Sequence, residues 1–326
     1  MLAMSEIHTG LAQYPTSVPS RVARQALALQ RVGESVRAFE RPVPYVVSPD
    51  AFVGVDCRLV TSSGGRPRVV GAVASRASIS GERILQSSAM VEVVRSESDR
   101  RRPWAYYLTR PGIVETIGKT RPDAIADGFL TAAAGSGLYL GGIAERLMDE
   151  VQRSLLREGQ KLPAARRPRA IRGARTQLRW VLQLTEDGGE DRVAFGLQDG
   201  SLRVLRIRSS SLTPDQAGDF AAVVARHDWL LTALKTYVDR SRLDQGIDDQ
   251  ALAKLQPIVD HLLHLWMPTA RLDDQLTPYW ESLERASGFS RQWDTQVARI
   301  RDQLAMHTIT LLRGLGSRAE PRAVGE

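Results

Sequence analysis

The sequence predicts an α+β protein, with a mixed or antiparallel β-rich N-terminal region, a small three-stranded sheet and a C-terminal helical bundle. Three observations predict it. Between Ser35 and Val94 the β-branched residues come in short runs broken by Gly, Pro, Asp and Ser, a spacing that implies an antiparallel or mixed sheet. Between Gln177 and Ile207 three more such runs are joined by tight turns. From Ser211 onward apolar residues return at three- and four-residue steps, the period of helices with one buried stripe.

Taken in order, Ile7–Gln13 reads as an opening strand and Ser20–Val32 as a short helix, with Val22, Ala26, Leu27 and Leu29 apolar and Ser20 as its cap. Strands follow at Ser35–Phe39, Val43–Val47, Val53–Val60, Arg68–Ala74, Ile84–Gln86 and Met90–Val94. Turn chemistry separates them at Ser48–Asp50, Ser62–Arg66 and Ser80–Glu82. Pro111 and Gly112 break Trp104–Gly118, after which Ile113, Val114 and Ile117 fit a helical turn. Pro122 at a first helical position opens a helix through Leu130, and Thr131–Gly137 reads as a loop. Leu138–Glu158 is a helix with Leu140, Ile143, Leu147, Val151 and Leu155 on one stripe.

Gly159–Arg175 has two prolines, six basic residues, no acid and no periodicity, so it reads as an exposed linker. The expected organisation is a mixed domain over 1–158, a basic linker over 159–176, a meander plus helical bundle over 177–316, and a disordered tail over 317–326. The meander is Gln177–Thr185, Asp191–Gln198 and Ser201–Ile207, with Asp199–Gly200 as a hairpin signal. Ser211–Leu243 is the organising helix. Thr213 and Gln216 are spaced as a capping box around Pro214, ahead of a stripe running from Phe220 to Val238. Asp248–Trp266 follows as a helix interrupted at Pro257, then Thr277–Ser287, closed by Gly288. Ser290 opens the last helix, where Trp293, Val297, Ile300, Leu304, His307 and Leu311 alternate by four and three.

Composition bounds the function. With 43% hydrophobic and 25% charged residues the chain is ordinary globular material. No run of about 18 apolar residues predicts a membrane span, and the start has no signal-peptide pattern. A single cysteine, Cys57, rules out an internal disulfide framework and, with the missing leader, points to a cytoplasmic protein. The net charge is +7, yet only four of the 44 basic residues are lysine. That arginine skew fits GC-rich codon usage, which weakens the charge as a sign of nucleic-acid binding.

Candidate chemistry is sparse. His261 and His264 lie one helical turn apart with Asp260 nearby, the candidate for a metal and for a metal-dependent enzyme. Adjacent positions on a helix diverge by about 100°, so His227–Asp228–Trp229 forms no relay. The glycines from Gly135 to Gly142 follow a helix rather than a strand, which argues against a phosphate loop. Cys57 lies in a strand-like run, a core position more than a nucleophile. Electrostatically, Arg166, Arg167 and Arg169 in the linker and Arg203, Arg206 and Arg208 on the third strand form the candidate nucleic-acid surface. Trp229 and Trp280 are the candidate edge tryptophans of a partner-binding bundle. No catalytic set and no cofactor motif is predicted.

Four stretches, Arg101–Lys119, His227–Leu243, Val259–Leu272 and Gly288–Thr308, together resemble an uncharacterised family of streptomycetes and related actinobacteria. The likeness covers most of the chain outside the linker and tail. What it implies is an actinobacterial source and a small conserved gene cluster that also encodes a variant P-loop protein, a candidate partner. It carries no activity and no functional residues. The expectation is a non-enzymatic component of a multi-protein system that binds partners through its helices, with nucleic-acid binding as the alternative.

Overall fold

The computed structural model describes residues 1–29, 35–133, 137–163, 173–185, 191–241, 255–256, 258–270 and 272–319, with side chains through 312. The chain forms two compact units. The first comprises Met1–Trp229 and Met267–Ser287; the second comprises Leu230–Trp266 and Gly288–Glu326.

The first unit is built on one ten-stranded mixed sheet. Its strands are β1 (Leu2–Leu11), β2 (Arg37–Phe39), β3 (Tyr45–Val47), β4 (Ala51–Arg58), β5 (Arg68–Ser80), β6 (Ile84–Arg95), β7 (Ile113–Ile117), β8 (Thr176–Leu184), β9 (Arg192–Leu197) and β10 (Leu202–Ser209). The order runs β2-β3-β5-β7-β6-β1-β8-β10-β9, with β4 on β5 and a further β5–β6 pairing. Most pairs are antiparallel; β6–β7 and β8–β10 are parallel. The predicted α+β class is thus the observed one.

Helices cover both faces. On one lie α1 (Ser20–Leu27), α3 (Pro122–Thr131) and α4 (Leu140–Gln160); the short α2 (Trp104–Leu108) precedes β7. Leu147, Met148, Val151 and Leu155 of α4 are buried against Val22, Leu27, Ile79 and Leu85, each such side chain worth about 1.5–3 kcal/mol. On the other face lies the start of α5 (Pro214–Ser241). The Gln86 amide donates to the Ala222 carbonyl at 3.0 Å and fastens α5 to β6. Strand β1 is buried from Leu2 through Gly10 because it pairs with β6 on one side and β8 on the other.

That last pairing corrects the predicted domain organisation. Eight residues of β8 align with β1, so the sheet continues across the basic stretch and no domain boundary falls at 159–176. The three strands after it are no separate meander either. Asp199–Gly200 does turn β9 into β10, but β10 inserts between β9 and β8 and runs parallel to β8. Residues 113–117 form strand β7 rather than a helical turn. Three of those five residues are Ile or Val, and Gly71 on β5 lets the β7 backbone approach where any Cβ would collide with Ile113. The predicted strands Ile84–Gln86 and Met90–Val94 are one, β6.

The capping box of α5 is formed. The Thr213 backbone N–H donates to the Gln216 side-chain oxygen at 3.0 Å, and the Gln216 N–H donates to the Thr213 hydroxyl at 3.2 Å. Thr213→Ala is expected to lower the unfolding free energy by about 1 kcal/mol, measured by urea titration. At α1 the predicted Ser20 cap is not used: the capping position is Pro19, without a side-chain bond.

The last helices are α6 (Thr277–Ser287), which belongs to the first unit, and α7 (Phe289–Ala319), in the second. The expected four-helix bundle is therefore smaller than predicted. In the second unit Trp266 stacks on Trp293, with ring centroids 4.4 Å apart and planes 8° from parallel. The helical backbone of α7 runs to Ala319, past the expected start of a tail at Ser317. The predicted cap Asp248 and Pro257 lie outside the described residues. No described helix is long and apolar enough to cross a membrane.

Candidate functional site

The first unit carries a cleft of about 530 Å³ between the sheet and α5. Register places its floor. Directly opposed residues share a sheet face, so the pairs Arg76↔Ser88, Ser78↔Gln86 and Ser5↔Trp180 set all six side chains toward α5. From α5, Asp215, Asp219, Ala222 and Arg226 recur at helical steps and form the facing wall. Arg37 and Phe39 of β2, Tyr45 of β3 and Asp50 form the rim.

Arg76 is the hub. Its guanidinium meets Asp50 at 3.0 Å and Asp215 at 3.4 Å. Burial disfavours its charge, but Asp50, Asp215 and Asp219 together outweigh that and hold its pKa above the usual arginine value. Asp219 makes no ion pair or hydrogen bond among the described residues. The cleft walls push its carboxyl above the ordinary range, Arg76 opposes the shift and the Asp215 charge adds to it. Arg226 is buried and donates to the Ser80 hydroxyl at 3.3 Å. Farther in, a narrow crevice reaches Trp180, whose buried indole N–H has no acceptor among the described residues.

The residues singled out by sequence are placed elsewhere. Trp229 and Trp280 are not edge tryptophans, being 1% and 3% exposed. The Trp229 indole donates to the Ala174 carbonyl at 2.8 Å, and Trp280 lies edge-on to His227 at 5.6 Å. Both therefore fill the interior of the first unit and present nothing to a partner. The supposed basic face is largely neutralised. Arg203 is buried and paired with Asp228 at 2.6 Å, Arg206 is paired with Asp127, and Arg208 alone is exposed. Arg166, Arg167 and Arg169 lie outside the described residues.

His261 and His264 do not share one α-helix: His264 sits in a 3₁₀ turn, Leu263–Leu265, and is exposed. Asp260 accepts from Gln256 at 2.8 Å. No group of three or more metal-ligating side chains occurs among the described residues. The Cys57 thiol on β4 is pushed up by burial and then by Asp56, so it stays protonated at neutral pH.

At the N-terminus of α4, where the glycine-rich stretch ends, Gly141 sits directly on the Glu6 carboxylate. Burial raises the Glu6 pKa, while His8, 3.5 Å away, and the Arg179 charge bring it to a net value below normal. Arg179 meets Glu6 at 3.0 Å, and all three side chains are nearly inaccessible.

Sequence reasoning missed the cleft, although two signals pointed to it. Arg76 interrupts a strand of small and apolar residues, and Asp215, Asp219 and Arg226 form a polar stripe on the most strongly predicted helix. The second unit carries a different feature. On α7 the four-three seam is covered at Trp293 and Ile300, but beyond it Met306, Ile309, Leu311 and Leu312 are 42–62% exposed.

No protein-family model, no curated protein and no solved structure matches this chain.

Proposed function

We propose that this chain is a non-enzymatic component of an actinobacterial multi-protein system and docks a helix of a partner protein against the distal part of α7. The exposed apolar tract of α7 carries the reading. Residues spaced 4-3-4-3-4 from Trp293 to Leu311 keep one line facing a neighbouring helix, a period of 3.5 that a coiled-coil partner matches. The first half of that line is satisfied within the unit by Trp266 and its neighbours, Leu304 and His307 are half-buried, and the line ends on the exposed Leu311, flanked by the exposed Met306 and Leu312. A partner helix extends the packing already begun there. The variant P-loop protein implied by the family resemblance is the first partner to test.

Leu311→Asp places a charge on this line and Leu312→Asp one on its flank. Both side chains are more than 40% exposed, so the fold itself has little to lose. Each variant is expected to weaken co-elution with the P-loop protein at least about tenfold, or about 1.4 kcal/mol, with unchanged thermal unfolding. Equal co-elution of wild type and both variants, or none by the wild type, would remove the proposal.

A second reading, nucleic-acid binding, retains only Arg208 and the basic stretch as support. A gel-shift titration in which affinity falls steeply with salt would favour it.

A further inference from the structure

The cleft beside α5 stands apart from the helix-docking reading, and its lining specifies a ligand. Three guanidiniums, Arg37, Arg76 and Arg226, face three carboxylates, Asp50, Asp215 and Asp219, so the formal charges cancel. A like-charge approach to within about 4 Å is strongly unfavourable at the effective dielectric of a protein surface. An anion entering this space meets Asp215 and Asp219, and a cation meets Arg37 and Arg226. A hydroxyl meets neither penalty, because it donates to a carboxylate and accepts from a guanidinium with the same oxygen.

Two further observations narrow the class. At the rim, Phe39 and Tyr45 lie with ring centroids 6.2 Å apart and planes 30° apart, and Phe39 is 49% exposed. Together they offer an apolar platform beside the polar groups. At the inner end, Trp180 lines a narrow crevice together with Ser5, Ser78 and Ser88, and its buried indole N–H has no acceptor among the described residues. An unmade buried bond of that kind is a penalty that a ligand oxygen within reach of the indole would relieve. A molecule with a rim of hydroxyls and an apolar C–H face fits all of these. At about 530 Å³ the cleft falls within the range of small-molecule sites.

We propose that the cleft between the sheet and α5 binds a neutral saccharide, its hydroxyls shared between Asp219, Arg37 and Arg76 and one C–H face on Phe39 and Tyr45.

The test is isothermal titration of the full chain with glucose, galactose, N-acetylglucosamine and trehalose, against putrescine, inorganic phosphate and arginine as charged controls. Asp219→Ala and Phe39→Ala are the variants, both at exposed positions. At least one sugar is expected to bind with a Kd of about 1 mM or tighter, and each variant to weaken it at least about tenfold without a change in Tm. The inference is overturned if no sugar binds at about 10 mM. It is equally overturned if both variants bind undiminished, or if a charged control binds more tightly than every sugar.

Discussion

Replacing Arg203 with alanine is expected to lower the unfolding free energy by about 3–5 kcal/mol, read as a shift of the urea midpoint at constant m-value. Arg203 and Asp228 are both nearly inaccessible, 2.6 Å apart, and Arg203 also donates to the Gly200 carbonyl at 2.8 Å. Removing the guanidinium leaves a carboxylate with its desolvation penalty and no partner. The pKa of Asp228 already shows the tension: burial pushes it up, and the Arg203 charge and hydrogen bond offset only part of that. Removing both charges is a different matter. Arg203→Met with Asp228→Leu is expected to recover most of the loss, because neither charge then remains buried. A cost below about 1 kcal/mol for the single variant would mean that water reaches the pair.

The second large effect is a loss of stability in acid. His227 is fully buried, its Nδ1–H donating to the Val223 carbonyl at 2.7 Å. Burial, with Arg226 adding, pushes its pKa from 6.5 to about 3, against the pull of the Val223 carbonyl. The native state therefore keeps the ring neutral where the unfolded chain takes up a proton. The sign follows: this contribution is fully present above pH 6.5 and is lost as pH falls toward 3, at about 1.4 kcal/mol per pH unit. At pH 4.5 the wild type is expected to be about 2.7 kcal/mol less stable from this residue alone. Asp219, Asp228 and Glu92, whose pKa values are raised, act in the opposite direction, and Glu6, whose pKa is lowered, acts in the same one. Comparing wild type with His227→Gln at pH 7 and pH 4.5 cancels those shared terms. An unchanged pH slope in the variant would show that His227 is not the group responsible.

The local grammar of the chain was legible, and its long-range pairing was not. Capping of α5 at Thr213, the first-position Pro122 of α3, the stripe of α4 and the Asp199–Gly200 turn all follow from spacing within a few residues. The β1–β8 pairing joins residues more than 160 positions apart, and no local pattern encodes it. The intervening basic stretch, free of periodicity, invited a domain boundary because linker composition says nothing of whether the flanking strands pair. Ile113–Ile117 was misread because a short apolar run fits either period until a neighbouring strand decides it.

The site failed for a related reason. Trp229 and Trp280 drew attention as rare aromatic residues, yet rarity does not distinguish an anchor from a core. Arg76, Asp215 and Asp219 are common residue types, and only the fold brings them together, from a strand and a helix about 140 positions apart.

Strand β1 lies inside the sheet, yet the residues that flank it are made long after it. During synthesis its β6 edge finds a partner once residue 95 is out, but the β8 edge stays open until residue 184 has left the ribosome. For that interval the nascent chain displays a bare ladder of amide and carbonyl groups beside apolar side chains, a template for another chain as much as for its own. Closing so distant a pair is slow, so the first unit depends on completing translation before it meets a neighbour doing the same.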